Sequence, residues 1–201
     1  MRTFQAIGVI TCAAAIVMAG CNGSDPEIRK QAASSGFSEN AANELSSMHL
    51  NGDEMASVAE AKRGGMEDSV VLHMVRSLHD RDQKFDIGFA LQLLKQEGVA
   101  SDVLVQLVDM GAIPRMADDL RALKDARVAD ATLVEVARLR FNEKKTLLPG
   151  PEYGQLKAFG ISDAGLVQFI RKGGTEAQLQ QLSQDLALGT PEADALKKIG
   201  M

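Results

Sequence analysis

The sequence contains no Trp and a single Tyr, so it offers almost no aromatic platform on which a sugar or a nucleobase could stack. Its formal net charge is −5. That balance speaks against nucleic acid, which requires a clustered basic face, and against electrostatic docking on anionic lipid. No Gly-x-Ser-x-Gly nucleophile turn and no Gly-x-x-x-x-Gly-Lys-Ser/Thr phosphate loop occurs. Residues 80–86 lack the Gly and the closing Glu of a calcium loop. Carboxylates are plentiful, but a catalytic pair is recognised by geometry rather than by composition. These absences leave no catalytic residue, metal site or cofactor to name.

Long apolar runs are also missing. The longest, Phe4–Val17, has only Gln5 and Thr11 as polar interruptions and follows Arg2. It falls short of the about 20 residues needed to span a bilayer, and a basic start with a short apolar stretch is the pattern of a secretory signal. Met18-Ala19-Gly20-Cys21 follows directly and resembles the lipobox of bacterial lipoproteins, although Met18 stands where Leu is commoner. The resemblance implies that Met1–Gly20 is cleaved and that Cys21 is lipidated, with acyl chains such as palmitate holding the protein to a membrane. Two or more such chains give stable anchoring. Asn22 lacks the Asp that retains many lipoproteins at the inner membrane, which implies the periplasmic face of the outer membrane if the source is Gram-negative. Cys12 would leave with the signal and Cys21 would be acylated, so the mature chain is expected to have no disulfide. Removing Met1–Gly20 leaves 181 residues and takes away one cation, shifting the net charge from −5 to −6.

Asn22–Ser35 carries Gly, Pro, Ser and charges without apolar periodicity and reads as a flexible tether. Fully extended, it could reach on the order of 45 Å.

From Gly36 onward the chain repeats itself with a 62-residue period. At this offset Leu104-Val105-Gln106-Leu107-Val108 meets Leu166-Val167-Gln168-Phe169-Ile170, and Asp68, Val71 and Arg76 meet Asp130, Leu133 and Arg138. Half-repeats begin at Gly36, Gly65, Gly98, Arg127, Gly160 and Gly189, spaced alternately by 29 and 33 residues. Each opens with a turn residue and a cap candidate: Ser38, Glu67, Ser101, Asp130, Ser162 or Thr190. Apolar residues then recur at helical spacing, as in Val71, Met74, Val75 and Leu78. Second helices are read at Ile87, Ala90, Leu91 and Leu94, at Met116, Leu120 and Leu123, and at Leu179, Leu182 and Leu186.

The expectation is an all-α solenoid or curved bundle of about eleven short helices, each marginal alone. Its units would be 36–97, 98–159 and an incomplete 160–201. The architecture is similar in principle to tetratricopeptide arrays, but the consensus residues of that family are absent.

The repeat also weighs candidate sites. His73 fills a slot taken by Glu44, Gln106, Glu135 and Gln168 in equivalent helices, which marks it as a surface residue, and His49 is read as solvated at a helix end. His79, Asp80 and Asp82 could suggest a metal, yet the aligned Phe141-Asn142-Glu143-Lys144 keeps no such pattern and the spacing fits no common ligand set. Two longer connections, Leu78–Asp86 and Arg140–Leu148, align with each other and are rich in charge. In a regular stack they would share one edge, where long loops often carry recognition. His79, Asp80, Arg81, Asp82 and Lys84 in the first, and Arg140, Glu143, Lys144 and Lys145 in the second, are therefore the candidate partner-binding residues.

The function expected is a non-enzymatic, lipid-anchored binding or scaffolding module for another envelope protein. Alternatives are an envelope enzyme or metal-binding protein using His73–Asp86, and a simple spacer.

Overall fold

The computed structural model describes residues 24–201. The signal segment, the lipobox, Cys21 and the start of the expected tether lie outside the described residues. Twelve helices occupy the described residues, with no strand among them: α1 (Pro26–Ser34), α2 (Glu39–Ser47), α3 (Gly52–Arg63), α4 (Asp68–His79), α5 (Gly88–Gln96), α6 (Ser101–Asp109), α7 (Ala117–Asp125), α8 (Asp130–Phe141), α9 (Gly150–Ala158), α10 (Asp163–Arg171), α11 (Glu176–Ala187) and α12 (Glu192–Lys198).

One helix more than expected is present, because part of the expected tether is folded. Asp25 caps α1 by accepting the backbone N–H of Glu27 at 2.9 Å, Pro26 opens the helix, and Glu27 sits at its positive end. Ile28 and Ala32, four residues apart, are buried. Apolar spacing over one short turn pair is too weak to be read in isolation, and the packing against α2 makes the helix.

That helix resets the phase of the repeat. Odd-numbered helices pack on one another in one row, even-numbered helices in a second, and hairpin partners join the rows. The units are thus the hairpins α1/α2, α3/α4, α5/α6, α7/α8, α9/α10 and α11/α12, whereas boundaries at 36, 98 and 160 fall inside hairpin turns. The stretch after Gly160 is not a truncated unit, since α12 packs on α11 and α10 with Leu196 buried.

Every one of the twelve described helices is followed by a residue with positive φ. Eight are glycines; the others are His49, Asp82, Arg127 and Lys144. This left-handed residue reverses the chain while the next N–H closes onto the helix: Gly98 N–H bonds Lys95 O and Val99 N–H bonds Leu94 O, and the same pair of bonds recurs at Gly36/Phe37, Arg127/Val128 and Gly160/Ile161. The residue after it in each of these turns (Phe37, Val99, Val128, Ile161) is buried. One sequence feature therefore ends a helix and plants an apolar anchor in the core.

The predicted stripes are the core: Val71, Met74, Val75 and Leu78 of α4 and Leu166, Phe169 and Ile170 of α10 are buried. Burial of each such side chain contributes about 1.5–3 kcal/mol. The second-helix stripes hold as well, except that Ala90 and Leu186 are only half-buried. Several caps differ from expectation. Ser38 and Ser162 cap α2 and α10 through their hydroxyls, but Ser101 and Asp130 are the first residues of their helices rather than caps, Pro191 rather than Thr190 precedes α12, and the Glu67 side chain makes no cap bond to the first turn of α4.

What those first-turn residues do instead ties the even row together. Asp68 of α4 accepts the N–H of Ser38, where α2 starts, at 2.9 Å. Asp130 accepts from Ala100 at 2.8 Å, Asp163 from Ala129 at 2.9 Å, and Glu192 from Ser162 at 2.7 Å. Each carboxylate satisfies an orphan donor of the preceding even helix and sits at its positive end. A lysine six residues upstream clasps three of them: Lys62 to Asp68 at 2.7 Å, Lys124 to Asp130, and Lys157 to Asp163 at 2.5 Å. In the remaining central hairpin the fourth lysine, Lys95, donates to Ser101 Oγ at 2.7 Å instead.

The odd row uses close backbone approach. The N–H of Gly88 donates to Ser57 Oγ at 2.7 Å, and 62 residues on the N–H of Gly150 donates to Asp119 Oδ1 at 2.7 Å. A Cβ on either glycine would meet backbone of the neighbouring helix. The α3/α5 and α7/α9 contacts are thus two copies of one interface, a physical basis for the 62-residue period.

Candidate docking edge

Because odd and even helices alternate, every connection from an even helix to the next odd one lies on one edge of the stack. The connections 80–87 and 142–149 are both of this type, so they share an edge as expected. The start of α1 lies there too: Asp25 N–H donates to Ser46 O near the end of α2 at 2.9 Å.

The first connection is tied down from within. His79 Nε2 lies 3.0 Å from Glu54 Oε1, and the N–H of Phe85 donates to the same oxygen at 3.1 Å. The other Glu54 oxygen accepts from Asn51 N–H at 3.2 Å. Burial opposes ionisation of Glu54, but the bonds from His79, Asn51 and Phe85 outweigh it and hold the carboxyl below its usual value. Arg81 is equally occupied: Nε donates to Ser77 O at 2.8 Å, Nη1 to Asp109 O at 3.1 Å and Nη2 to Val108 O at 3.2 Å, neutralising the negative end of α6. His79 and Arg81 are therefore structural, whereas Asp80, Asp82 and Lys84 are exposed. His73 is exposed and lies 3.5 Å from Asp109, and His49 is exposed. Among the described residues, no three His, Cys, Asp or Glu side chains converge to hold a metal. The two histidines of the His73–Asp86 region reach different carboxylates on different helices.

The second connection is built differently. Tyr153 is buried, and its hydroxyl accepts the N–H of Leu148 at 2.7 Å, which fixes the loop end to α9. Burial pushes the Tyr153 hydroxyl up to about 12. Asn142, Glu143 and Lys144 are exposed, and Lys145 is half-buried. Arg140 Nη1 donates to Lys145 O at 3.3 Å and the side chain has no carboxylate partner. Beneath the loop is a cleft of about 410 Å³, lined by Arg115, Met116, Asp119, Arg140, Phe141, Leu147, Leu148 and Pro149, within the size range of small-ligand sites.

Sequence reasoning included Arg140 but not Arg115, Phe141, Leu147 or Leu148. A signal for Arg115 was available. At the 62-residue offset Asp53 becomes Arg115 and Leu78 becomes Arg140, two cationic substitutions at otherwise matched positions.

Among the described residues no helix is long and apolar enough to cross a membrane. The sequence matches no family model and no curated protein.

Proposed function

We propose that the chain is a lipid-anchored envelope module that binds another envelope protein along the edge carrying residues 80–87 and 142–149, without catalysis of its own. The observation that carries this reading is the Arg115/Arg140 cleft on that edge: it combines cations without carboxylate partners with an apolar lining. Rigid helical stacks that expose long connections on one edge present such surfaces repeatedly. The engagement of His79 by Glu54, on a different helix from the Asp109 that exposed His73 faces, weighs against a metal or catalytic role for residues 73–86.

The lipobox resemblance supplies the anchor, and the folding of α1 sharpens it. Lipidated Cys21 would stand four residues before Asp25, a reach of at most about 14 Å. The start of α1, and with it the docking edge nearest to α1, would then be held close to the bilayer surface.

The test is in-cell crosslinking from residues on the edge, such as Lys84 and Glu143 replaced by photoreactive side chains. Reproducible capture of one envelope protein from the edge, absent when the probe sits at exposed Phe159 in the opposite turns, is the expected result. Equal capture from both positions, or none, would overturn the docking-edge reading. Separately, Cys21→Ser should abolish incorporation of a labelled fatty acid; an unchanged lipid label would refute the anchor.

A further inference from the structure

The two copies of the odd-row interface allow the cleft to be compared with its own counterpart. Gly88 on Ser57 and Gly150 on Asp119 match at the 62-residue offset, so the backbone frames correspond. In the upstream copy, Phe85 is fully buried against α3, its N–H bonded to Glu54, and His79 closes the pair. In the downstream copy Met116 stands for Glu54, Phe141 for His79 and Leu147 for Phe85. The polar lock is gone and the smaller Leu147 remains half-buried, as does Phe141.

The same exchange changes the electrostatics. Arg115 replaces an acid and Arg140 replaces an apolar residue. Most other arginines of the described chain are engaged, as in Arg29–Glu39, Arg121–Glu97 and Arg171–Glu135. Arg115 and Arg140 face no carboxylate in an ion pair; Arg115 lies over the Phe141 ring, 6.0 Å from its centre, and Arg140 is steadied by Lys145 O. The one acid of the lining, Asp119, already takes the Gly150 N–H on Oδ1.

From this we infer that the cleft is a receptor for an acidic peptide segment of a partner protein, with carboxylates on Arg115 and Arg140 and an apolar side chain against Phe141 and Leu147. This rests on the proposed partner-binding function and names the chemistry of the partner. Arginine forks match carboxylates in bidentate geometry, and the apolar lining adds burial that a free inorganic anion would not use. A net charge of −5 over the chain disfavours an anionic bilayer as the occupant, whereas a single short segment meets only the local positive field.

The test uses the processed, lipidated chain in non-ionic micelles and two fluorescein-labelled peptides, Gly-Ser-Leu-Glu-Phe-Asp-Leu-Glu and its Gln/Asn analogue. Anisotropy should show saturable binding of the acidic peptide and at least tenfold weaker binding of the amide analogue. Arg115→Gln with Arg140→Gln should weaken the acidic peptide at least tenfold, with the melting temperature unchanged. Lys30→Gln, an exposed lysine of α1 that does not line the cleft, should alter it less than threefold. Equal binding of both peptides, no binding, or insensitivity to the double variant would overturn the inference. Displacement by short-chain phosphatidylglycerol at concentrations below those of the peptide would reassign the cleft to a lipid headgroup. Edge-specific crosslinking without acidic-peptide binding would refute the ligand class while leaving the docking edge standing.

Discussion

The carboxylate of Asp163 accepts the backbone N–H of Ala129 at 2.9 Å, so the first residue of α10 completes the start of α8, the previous helix in its row. Asp163 also takes the hydroxyl of Thr132 at 2.9 Å and the ammonium of Lys157. Asp163→Ala removes all three at a partly buried site. The expected loss is about 2 kcal/mol, read from urea denaturation. Asp102→Ala, an exposed acid in the first turn of α6, should change stability by less than about 0.5 kcal/mol. Equal effects of the two would refute the linking role.

Acid should dissolve these links together. Burial opposes ionisation of Asp68, Asp130 and Asp163, yet the paired lysine and the donated N–H groups outweigh it and hold each carboxyl below its usual value. With the folded value lower than the unfolded one of about 3.9, the stabilisation is fully present above that pH and is lost as pH falls through the folded values. The melting temperature should therefore be level between about pH 8 and 5 and drop below about pH 4. A triple Asp→Asn variant at these positions should melt lower at pH 7 and show a shallower acid fall; parallel curves for the two proteins would contradict the account.

One rung of the series is missing and can be supplied. Between α4 and α6, Ser101 occupies the position of the carboxylate, and its hydroxyl donates to Glu67 at 2.9 Å while Lys95 has only that hydroxyl to bond. Ser101→Asp alone would set two carboxylates together. Combined with Glu67→Ala, it reproduces the Ala129/Asp163 arrangement found 62 residues on, and the double variant should gain about 1 kcal/mol. Chemical denaturation of both single variants and the pair would show non-additivity; a pair no better than Glu67→Ala alone would refute the equivalence of the rungs.

Two glycines separate close approach from mere helix weakness. A Cβ on Gly88 would lie 1.8 Å from Ser57 O, whereas one on Gly154 would find nothing nearer than Ala126 Cβ at 3.7 Å. Gly88→Ala should destabilise by at least about 2 kcal/mol, and Gly154→Ala should stabilise by about 0.5–1 kcal/mol through helix propensity. Calorimetric melting of the two variants checks the signs, and a stable Gly88→Ala chain would contradict the tight α3/α5 contact.

The all-α class, the 62-residue period and the core stripes were readable in the sequence because they are local. Helical spacing of Leu and Val, and glycine where a helix must end left-handed, act over a few residues and leave a trace in the order of residue types. Residues 26–34 carried a weaker trace, the Asp25-Pro26-Glu27 start and the single apolar pair Ile28 and Ala32. Packing against α2 completed the helix that this start begins, which moved the frame of every repeat by one element and shortened the expected link to Cys21. The two charged connections also read alike in sequence, yet in one the histidine and arginine satisfy neighbours distant in the chain, and in the other the lock is replaced by Met116, Phe141 and Leu147. Whether a charged side chain is spent inside the fold or left for a partner depends on which helices lie 25–36 residues away in sequence and beside it in space. That pairing belongs to the tertiary structure, because long-range hydrogen bonds and ion pairs are set by the stacking of the rows and not by any local rule.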